Sequence, residues 1–316
     1  MESSSDNYHV PVMLTEALDG LNIRPDGVYV DATFGGGGHS RSILGRLGEG
    51  GRLLAFDQDS DAAKLAESGE WNMGNFTFIG ENFRHLRSFL RLHGVRQIDG
   101  LLADLGVSSH QFDTADRGFS TRMEGELDMR MDQRQPTSAR DLVNTLDEDD
   151  LTRLLRLYGE LPNARQMARA IVRWRTEGGE RREMVTTTDL KEAVRHHLPR
   201  GLENKYLAML FQALRIEVNG ELDALKEMLA QATQMLAPGG RLVVISYHSL
   251  EDRLVKNYMR SGNFEGEIEK DFYGNVLAPL RMVSRGAIQP SATEVATNSR
   301  ARSAKLRVAE KKLEEQ

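Results

Sequence analysis

The sequence predicts an α/β fold in which helices cover both faces of a mostly parallel sheet and an all-helical domain is inserted. From Val28 to Asp104, short apolar segments alternate with helical ones, as is typical of a parallel sheet. Between residues 113 and 217 the chain is rich in helix formers at helical spacing, and strand signals return after residue 218. We therefore predict a discontinuous sheet domain, residues 1–112 and 218–316, and a helical insert, residues 113–217.

The individual elements are predicted from apolar runs and from capping residues. The expected strands are 28–32, 52–57, 76–79, 98–104 and 241–246. The expected helices are 40–47 with Ser40 as N-cap, 59–67, 86–93, a helix after the acidic run 147–150, 163–175, and 222–236, which ends at 237–240. The basic stretch with Arg300, Arg302, Lys305 and Arg307 is expected to be an edge strand.

Composition narrows the class of protein. The chain has 316 residues, a formal net charge of -6 and no cysteine, which excludes thiolate metal sites and thiol nucleophiles. No apolar run is long enough to cross a bilayer, and residues 1–7 are polar and acidic, unlike a secretory signal. We expect a soluble cytoplasmic protein without a resident metal.

A glycine run follows the first predicted strand, in the sequence DATFGGGGHS at residues 31–40. Glycines there let the backbone turn tightly and approach a ligand closely. Ser40 and Arg41 stand where the dinucleotide fingerprint needs its third glycine. The order of an acidic residue followed by glycines instead resembles the motif of class I S-adenosylmethionine (SAM) methyltransferases, whose sheet is Rossmann-like. Asp57 ends the second strand, where a carboxylate can bind ribose hydroxyls, and Phe83 after the third strand can flank an adenine.

The fourth strand ends at Asp104, and Ser109 follows five residues later. Carboxylate and hydroxyl oxygens here could accept hydrogen bonds from an exocyclic amine, localise its lone pair and take up its proton. The prolines and aromatic residue that usually follow in amine methyltransferases are absent, so these residues alone support amine methylation only weakly.

The chain as a whole resembles the bacterial ribosomal RNA small-subunit methyltransferase H family, the MraW methylases. The matching segments span nearly all of the chain: residues 9–14, 31–40, 104–109, 117–120, 127–132, 158–160, 164–165, 211–215, 246–253 and 298–303. The resemblance implies SAM-dependent N4-methylation of a cytidine in the decoding region of 16S rRNA, and a helical insert. It also implies SAM contacts at Gly37, Gly38, His39, Asp57, Phe83, Asp104 and Gln111.

Within that resemblance we assign roles for methyl transfer and for RNA binding. Asp104 is the residue expected to polarise the amine, and Ser109 and His248 are further catalytic candidates, in a direct in-line transfer. An aromatic residue would stack on a flipped base, and the candidates are Phe34, Phe112, Phe119 and Tyr247. The insert is the putative RNA-recognition domain. Its basic residues include Arg165, Arg169 and Arg173 on one helix face, and also Arg181, Arg182, Lys191, Arg195, Arg200 and Lys205.

Two other functions remain compatible with the sequence. One is an NAD-dependent oxidoreductase on the same sheet, and the other is a SAM-binding factor that checks ribosome assembly without catalysis. The expected partner is 16S rRNA, naked or within the 30S subunit, with no membrane. A homodimer is one oligomeric state that the sequence permits.

Overall fold

The computed structural model describes residues 11–176 and 182–313, and in them seven strands form one sheet. The strands are β1 (Val28–Asp31), β2 (Arg52–Phe56), β3 (Phe76–Ile79), β4 (Ile98–Asp104), β5 (Leu236–Ser246), β6 (Leu280–Met282) and β7 (Lys305–Lys311). Their order is β3-β2-β1-β4-β5-β7-β6, with β1 to β5 parallel and β7 antiparallel to both of its neighbours. The predicted mostly parallel sheet is confirmed.

Besides loops and short 3₁₀ turns, the described chain contains α-helices. They are α1 (Leu14–Leu21), α2 (Gly38–Leu44), α3 (Ser60–Ala66), α4 (Leu86–Leu92), α5 (Ser109–Asp113), α6 (Ala139–Thr145), α7 (Glu148–Leu157), α8 (Ala164–Trp174), α9 (Thr187–Val194), α10 (Glu203–Asn219), α11 (Glu221–Met235), α12 (Ser249–Ser261) and α13 (Ala292–Thr297). No helix in residues 11–176 and 182–313 is both long and apolar enough to cross a membrane.

The chain divides into two compact units, which we call the sheet unit and the helical unit. The sheet unit contains the described residues up to Gly106 and from Leu222 onward, and the helical unit is Val107–Glu221. The expected insert, 113–217, falls inside the helical unit. Residues 9 and 10 of the first motif and Arg181 of the expected basic surface lie outside the described residues.

The sheet unit has an apolar core on each face of its sheet. Leu54 and Phe56 pack on one face with α4 and α11, and Leu53 and Ala55 pack on the other with α1 and α2. Alternate residues of one strand point to opposite faces, so a strand covered on both sides must be apolar throughout. This explains why short continuous apolar runs predicted the strands.

Three local predictions are wrong. Ser40 does not cap α2, because that helix begins at Gly38 with Gly37 as its N-cap, and Ser40 lies buried inside it. Residues 237–240 do not separate a helix from a strand. They belong to β5, which starts at Leu236 and has a register shift opposite Ile98 and Gly100.

The third error concerns the C-terminal basic stretch. Its strand, β7, is internal, because the three-residue β6 pairs with its far side. Lys305 and Arg307 are not displayed as an exposed basic edge, since both form ion pairs with Asp252 of α12 and Arg307 is buried.

The helical unit has a separate apolar core. Met167, Ile171 and Trp174 of α8 are buried in it, as the spacing of the sequence predicts. The acidic run opens α7, where Asp147 is the N-cap and its side chain accepts a hydrogen bond from the Asp150 N–H. Carboxylates in this first turn are stabilised by the partial positive charge of the helix start.

Candidate active site at the carboxyl ends of β1 and β4

The chain order reverses between β1 and β4, which are neighbours in the sheet. Ligands of open α/β sheets bind outside the carboxyl ends of the strands at such a switch point. Asp31 ends β1 and Asp104 ends β4, and the two strands are paired in parallel. Both carboxylates therefore lie at the edge where this class of fold binds its ligand.

The glycine loop after β1 turns sharply into α2. Gly35 and Gly37 have φ values of 51° and 76°, in the left-handed region where a side chain is disfavoured. A Cβ on Gly37 would lie 2.3 Å from the Trp71 ring, and one on Gly38 would lie 2.3 Å from Pro11. At Gly36, by contrast, an added Cβ would meet nothing within 4 Å. The loop is thus packed against the protein on one side and leaves its backbone open at Gly36.

Asp31 anchors this loop rather than facing a ligand. Its Oδ2 accepts a hydrogen bond from the buried Ser40 hydroxyl at 2.7 Å, and its Oδ1 accepts one from the Thr33 N–H at 3.0 Å. Burial raises the pKa of Asp31, and the electrostatic interaction with His39 and these hydrogen bonds oppose the rise. The Thr33 hydroxyl accepts a hydrogen bond from the Asp104 N–H at 2.7 Å, so the loop and the end of β4 are linked.

Asp57 follows β2 and holds the loop from the other side. Its Oδ2 accepts a hydrogen bond from the Gly35 N–H at 2.8 Å, and its Oδ1 accepts one from the Asp59 N–H at 2.9 Å. Burial raises the pKa of Asp57 to about 6, and the two N–H donors offset part of that rise. A carboxylate has about four lone-pair sites, so Asp57 keeps the capacity to accept hydrogen bonds from ligand hydroxyls.

Asp104 lies between a tyrosine and a histidine. Its Oδ1 accepts a hydrogen bond from the Tyr247 hydroxyl at 2.7 Å, and its Oδ2 lies 3.8 Å from His39 Nδ1. The other ring nitrogen of His39, Nε2, is 3.2 Å from the Val12 carbonyl; a carbonyl can only accept, so we assign a hydrogen to Nε2. Burial raises the pKa of Asp104 to about 6, against the lowering effects of His39 and of the Tyr247 hydrogen bond.

The bond between Tyr247 and Asp104 is the feature of this site that the sequence analysis missed, since it treated Tyr247 only as a ring that could stack on a base. Tyr247 directly follows β5, and β5 pairs in parallel with β4 so that Ile245 lies opposite Asp104. Side chains that follow adjacent parallel strands meet at the same edge. The predicted positions of these two strands were the signal that could have indicated the contact.

His248 is the N-cap of α12. Its Nδ1 accepts a hydrogen bond from the Glu251 N–H at 3.4 Å, and its Nε2 lies 3.1 Å from Glu251 Oε1. The Glu251 carboxylate in turn accepts a hydrogen bond from the Tyr247 N–H at 2.9 Å. Both ring nitrogens of His248 thus face Glu251, and the imidazole helps to start the helix.

The remaining expected site residues, Phe83, Ser109 and Gln111, occupy two places. Phe83 opens a 3₁₀ turn after β3 and packs, partly buried, against the core of the sheet unit. Ser109 and Gln111 belong to the helical unit, where Ser109 is the first residue of α5. Gln111 forms a capping box with Ser108, in which each side chain accepts a hydrogen bond from the other residue's N–H.

The aromatic candidates for base stacking differ in burial. Phe34 is buried among Trp71, Phe76 and Phe78, at ring-centroid distances of 4.8, 5.9 and 5.3 Å, so it is a core residue. Phe119 is likewise buried, in the core of the helical unit. Phe112 is 38% exposed, whereas Tyr247 is only partly exposed and packs against the core of the sheet unit.

Two arginines on the basic face of α8 form ion pairs with a glutamate of α7. Glu148 lies 3.5 Å from Arg165 and 3.2 Å from Arg169, and both arginine side chains remain more than half exposed. Glu177 and Glu180, the partners that the sequence suggested, lie outside the described residues. Exposed ion pairs of this kind are weak, so both guanidinium groups stay available to a stronger anion.

Comparisons with known proteins agree on one family. Residues 6–312 match the MraW methylase family. The chain is 56% identical over 312 residues to a protein of Bacteroides thetaiotaomicron named Ribosomal RNA small subunit methyltransferase H, covering 99% of this chain and all of that protein. Proteins of the same name from Flavobacterium johnsoniae and Amoebophilus asiaticus are 55% and 54% identical, over 96% and 98% of this chain and 98% of each relative.

Proposed function

Because the chain belongs to the MraW methylase family, we propose that it methylates small-subunit ribosomal RNA. In finer detail, we propose that it transfers the methyl group of SAM to N4 of a cytidine in the decoding region of 16S rRNA. The observation that supports this most is Asp104, a carboxylate at the switch point with one oxygen bound by Tyr247 and the other beside His39. Such a reaction belongs in the cytoplasm, where ribosomal RNA is made and assembled.

The residues at the switch point fit SAM. The ligand carries a sulfonium and an ammonium group, and the site presents carboxylates of opposite charge at Asp57 and Asp104, beside a loop that is open at Gly36. We propose that SAM is held by seven residues: Gly37, Gly38, His39, Asp57, Phe83, Asp104 and Gln111. When bound, SAM supplies an electrophilic methyl group. The residues of the chain orient the acceptor and manage its proton.

Asp104 supplies the acceptor chemistry in this proposal. An exocyclic amine is a poor nucleophile because its lone pair is delocalised into the ring, and a hydrogen bond from the amine to Asp104 localises that lone pair. With a pKa of about 6, the carboxyl group is mostly ionised at neutral pH and can accept the proton. The chain has no cysteine, so the proposed transfer is direct and has no thiol intermediate. Alignment of donor and acceptor contributes much of the rate, about 7–11 kcal/mol in well-oriented systems.

Ser109 and His248 are the two further catalytic residues that we propose to test. The Ser109 hydroxyl could accept a second hydrogen bond from the amine. His248 could carry the released proton only if it left the cap that it forms with Glu251. The variants Ser109→Ala and His248→Asn separate these roles from that of Asp104.

The test of the function is transfer of a labelled methyl group to small-subunit rRNA from cells that lack this gene, both naked and within 30S subunits. Nucleoside analysis is expected to find the label in N4-methylcytidine, and Asp104→Asn is expected to lower the rate by at least about a hundredfold. Label in another nucleoside would contradict the proposed specificity. Binding of SAM with no transfer by the wild type would favour a non-catalytic assembly factor, and binding of NAD would favour an oxidoreductase.

RNA recognition by the helical unit is the second part of the proposal, and the exposed face of α8 supports it. The logarithm of the RNA-binding constant falls linearly with the logarithm of the salt concentration, and each phosphate contact contributes about 0.7–0.9 to that slope. Replacing Arg165, Arg169 and Arg173 together by glutamine should therefore reduce the slope by about 2–3. Arg153→Gln is the control, since that side chain is exposed but lies on α7 beside Asp150. An unchanged slope in the triple variant would place the RNA elsewhere.

A further inference from the structure

We infer that Tyr247 is a positioning residue for methyl transfer, which binds Oδ1 of Asp104 and so presents Oδ2 to the acceptor amine. This inference rests on the proposed function of Asp104. It concerns the orientation and ionisation of that carboxylate, whereas from the sequence Tyr247 was only a candidate for base stacking.

The geometry restrains both partners. The Tyr247 hydroxyl lies 2.7 Å from Asp104 Oδ1, a short distance for a hydrogen bond to a charged acceptor. The tyrosine backbone is held in turn, because its N–H donates a hydrogen bond to Glu251 Oε2 at 2.9 Å. Gly106 has a φ of 100°, and a Cβ there would lie 3.4 Å from Tyr247 Cδ2. The glycine thus lets the chain turn past the ring two residues after Asp104.

The ionisation of Asp104 depends on the charged groups around it and on the hydrogen bond from Tyr247. His39 from α2 favours the carboxylate, whereas Asp31 from β1 and Glu251 from α12 disfavour it. Glu251, together with Glu294 of α13, also faces Tyr247, and burial raises the tyrosine pKa well above its usual value. The phenol therefore stays protonated and donates its hydrogen to Asp104 Oδ1. Loss of the Tyr247 hydroxyl removes a hydrogen bond that lowers the pKa of Asp104. The pKa of Asp104 must therefore rise.

The two carboxylate oxygens thus have different tasks. Oδ1 is bound to the phenol, and Oδ2 lies 3.8 Å from His39 Nδ1, which is longer than a hydrogen bond. Oδ2 is therefore the oxygen with the freer lone pairs, and it is the atom to which the amine would donate. Without the phenol, rotation of the carboxylate is no longer opposed, and the alignment of amine and methyl group is lost in part of the population.

The test is Tyr247→Phe, which keeps the ring and removes only the hydroxyl. Single-turnover methyl transfer should show an acid limb near pH 6 in the wild type and about one pH unit higher in the variant. The plateau at high pH should also fall by about tenfold because alignment is lost. Tyr258→Phe is the matched control, because Tyr258 is a buried tyrosine of the same unit whose hydroxyl bonds to Thr233. An acid limb that does not move overturns the inference, whatever happens to the plateau.

A second measurement needs no substrate and separates this inference from the proposed function. Carbon-13 NMR of labelled aspartate carboxyls, assigned with Asp104→Asn, should show the Asp104 midpoint rising by the same amount in Tyr247→Phe. The wild type should also show a downfield Tyr247 hydroxyl proton that is absent in Asp104→Asn, which tests the contact without changing the tyrosine. An unchanged midpoint, or no such proton, overturns the inference. A wild type with the shifted carboxyl but no rRNA methylation contradicts the proposed function alone.

Discussion

Burial in the folded protein disfavours the ionised form of three aspartates near the switch point. Burial raises the pKa of Asp31, and it raises those of Asp57 and Asp104 to about 6 each. A carboxyl whose pKa is higher in the folded state than in the unfolded state stabilises the fold when protonated. That stability is lost as the pH rises through the folded pKa. Ionisation of these carboxyl groups at neutral pH therefore costs free energy in the folded protein, and a cationic ligand would offset that cost.

Asp57→Asn tests this at one position. The quantity to follow is the free energy of unfolding of the wild type minus that of the variant. This difference should fall by about 1–3 kcal/mol between pH 4 and pH 7, because only the wild type has a buried carboxyl group at position 57 that must ionise in the folded state. Denaturant unfolding at several pH values measures the change, and the constant offset from the altered hydrogen bonds does not affect it. In Asp141→Asn the dependence should have the opposite sign, below about pH 4, since hydrogen bonds from Ser138 lower the pKa of Asp141. A difference at position 57 that is flat between pH 4 and 7 would contradict the prediction.

Ser40 provides a second prediction at this scale. Ser40→Ala removes the hydroxyl that donates to the buried Asp31 carboxylate, and should lower the free energy of unfolding by about 1–3 kcal/mol. Ser42→Ala, on the same helix, removes a hydroxyl that donates only to the Gly38 carbonyl and should cost less than about 1 kcal/mol. Chemical denaturation measures both variants. Equal losses in the free energy of unfolding would show that the hydrogen bond to Asp31 stabilises the fold no more than an ordinary one.

These residues also show how far the sequence could predict the site. The glycine loop, Asp57 and Asp104 could be proposed from the sequence because each lies at the end of a short apolar strand, and that pattern is local. The bond between Tyr247 and Asp104 joins positions 143 residues apart, so it depends on which strands are neighbours. Ser40 was misassigned as a cap because serine favours that position, whereas Gly37 can adopt the left-handed conformation that starts α2 here.

At the scale of elements, α12 begins with a capping box that joins the end of β5 to the helix. His248 and Glu251 each bind the other's N–H, and the same Glu251 accepts the Tyr247 N–H. The helix start is therefore continuous with the residue that contacts Asp104. The sequence correctly indicated a helix start here, since the polar residues after β5 are typical of one.

Variants of His248 separate a structural role from a catalytic one. We expect His248→Asn to keep the free energy of unfolding within about 0.5 kcal/mol, because asparagine is a strong N-cap, whereas His248→Ala should lose about 1 kcal/mol. Thermal or denaturant unfolding measures both. An equal loss in the two variants would mean that the imidazole contributes by packing rather than by capping. Methyl transfer by the stable His248→Asn protein then shows whether a proton carrier has been removed.

The outer strands show where sequence patterns fail for elements. β6 has three residues, too few for a recognisable alternation, and without it β7 looked like an edge. The early start of β5 was hidden because Pro238 and the glycines after it normally indicate a turn. Here Gly239 has a φ of 79° within a strand whose register shifts against β4, so the turn residues form an irregularity in the strand.

At the scale of the whole molecule, each unit has its own apolar core. The buried cluster that contains Leu151, Leu155 and Phe211 lies entirely within the helical unit, and the two clusters that flank the sheet lie within the sheet unit. A domain with its own core can in principle fold alone.

Residues 107–221, expressed alone, should therefore show a helical circular dichroism spectrum and a cooperative thermal transition. The control is the same fragment with Leu155→Asp, which places a charge in the core and should abolish the transition. A gradual, non-cooperative melt of the unaltered fragment would show that the helical unit needs the sheet unit to fold.

The internal position of β7 has a consequence for synthesis of the protein. Residues 305–311 fill the place between β5 and β6, so the outer edge of β5 stays unpaired until residue 311 has left the ribosomal exit tunnel. Ion pairs from β7 to Asp252 of α12 form at the same late moment. A nascent chain made at about 5–20 residues per second therefore exposes an unprotected strand edge for several seconds. The sheet is therefore complete only after β7 has been made and has paired with β5.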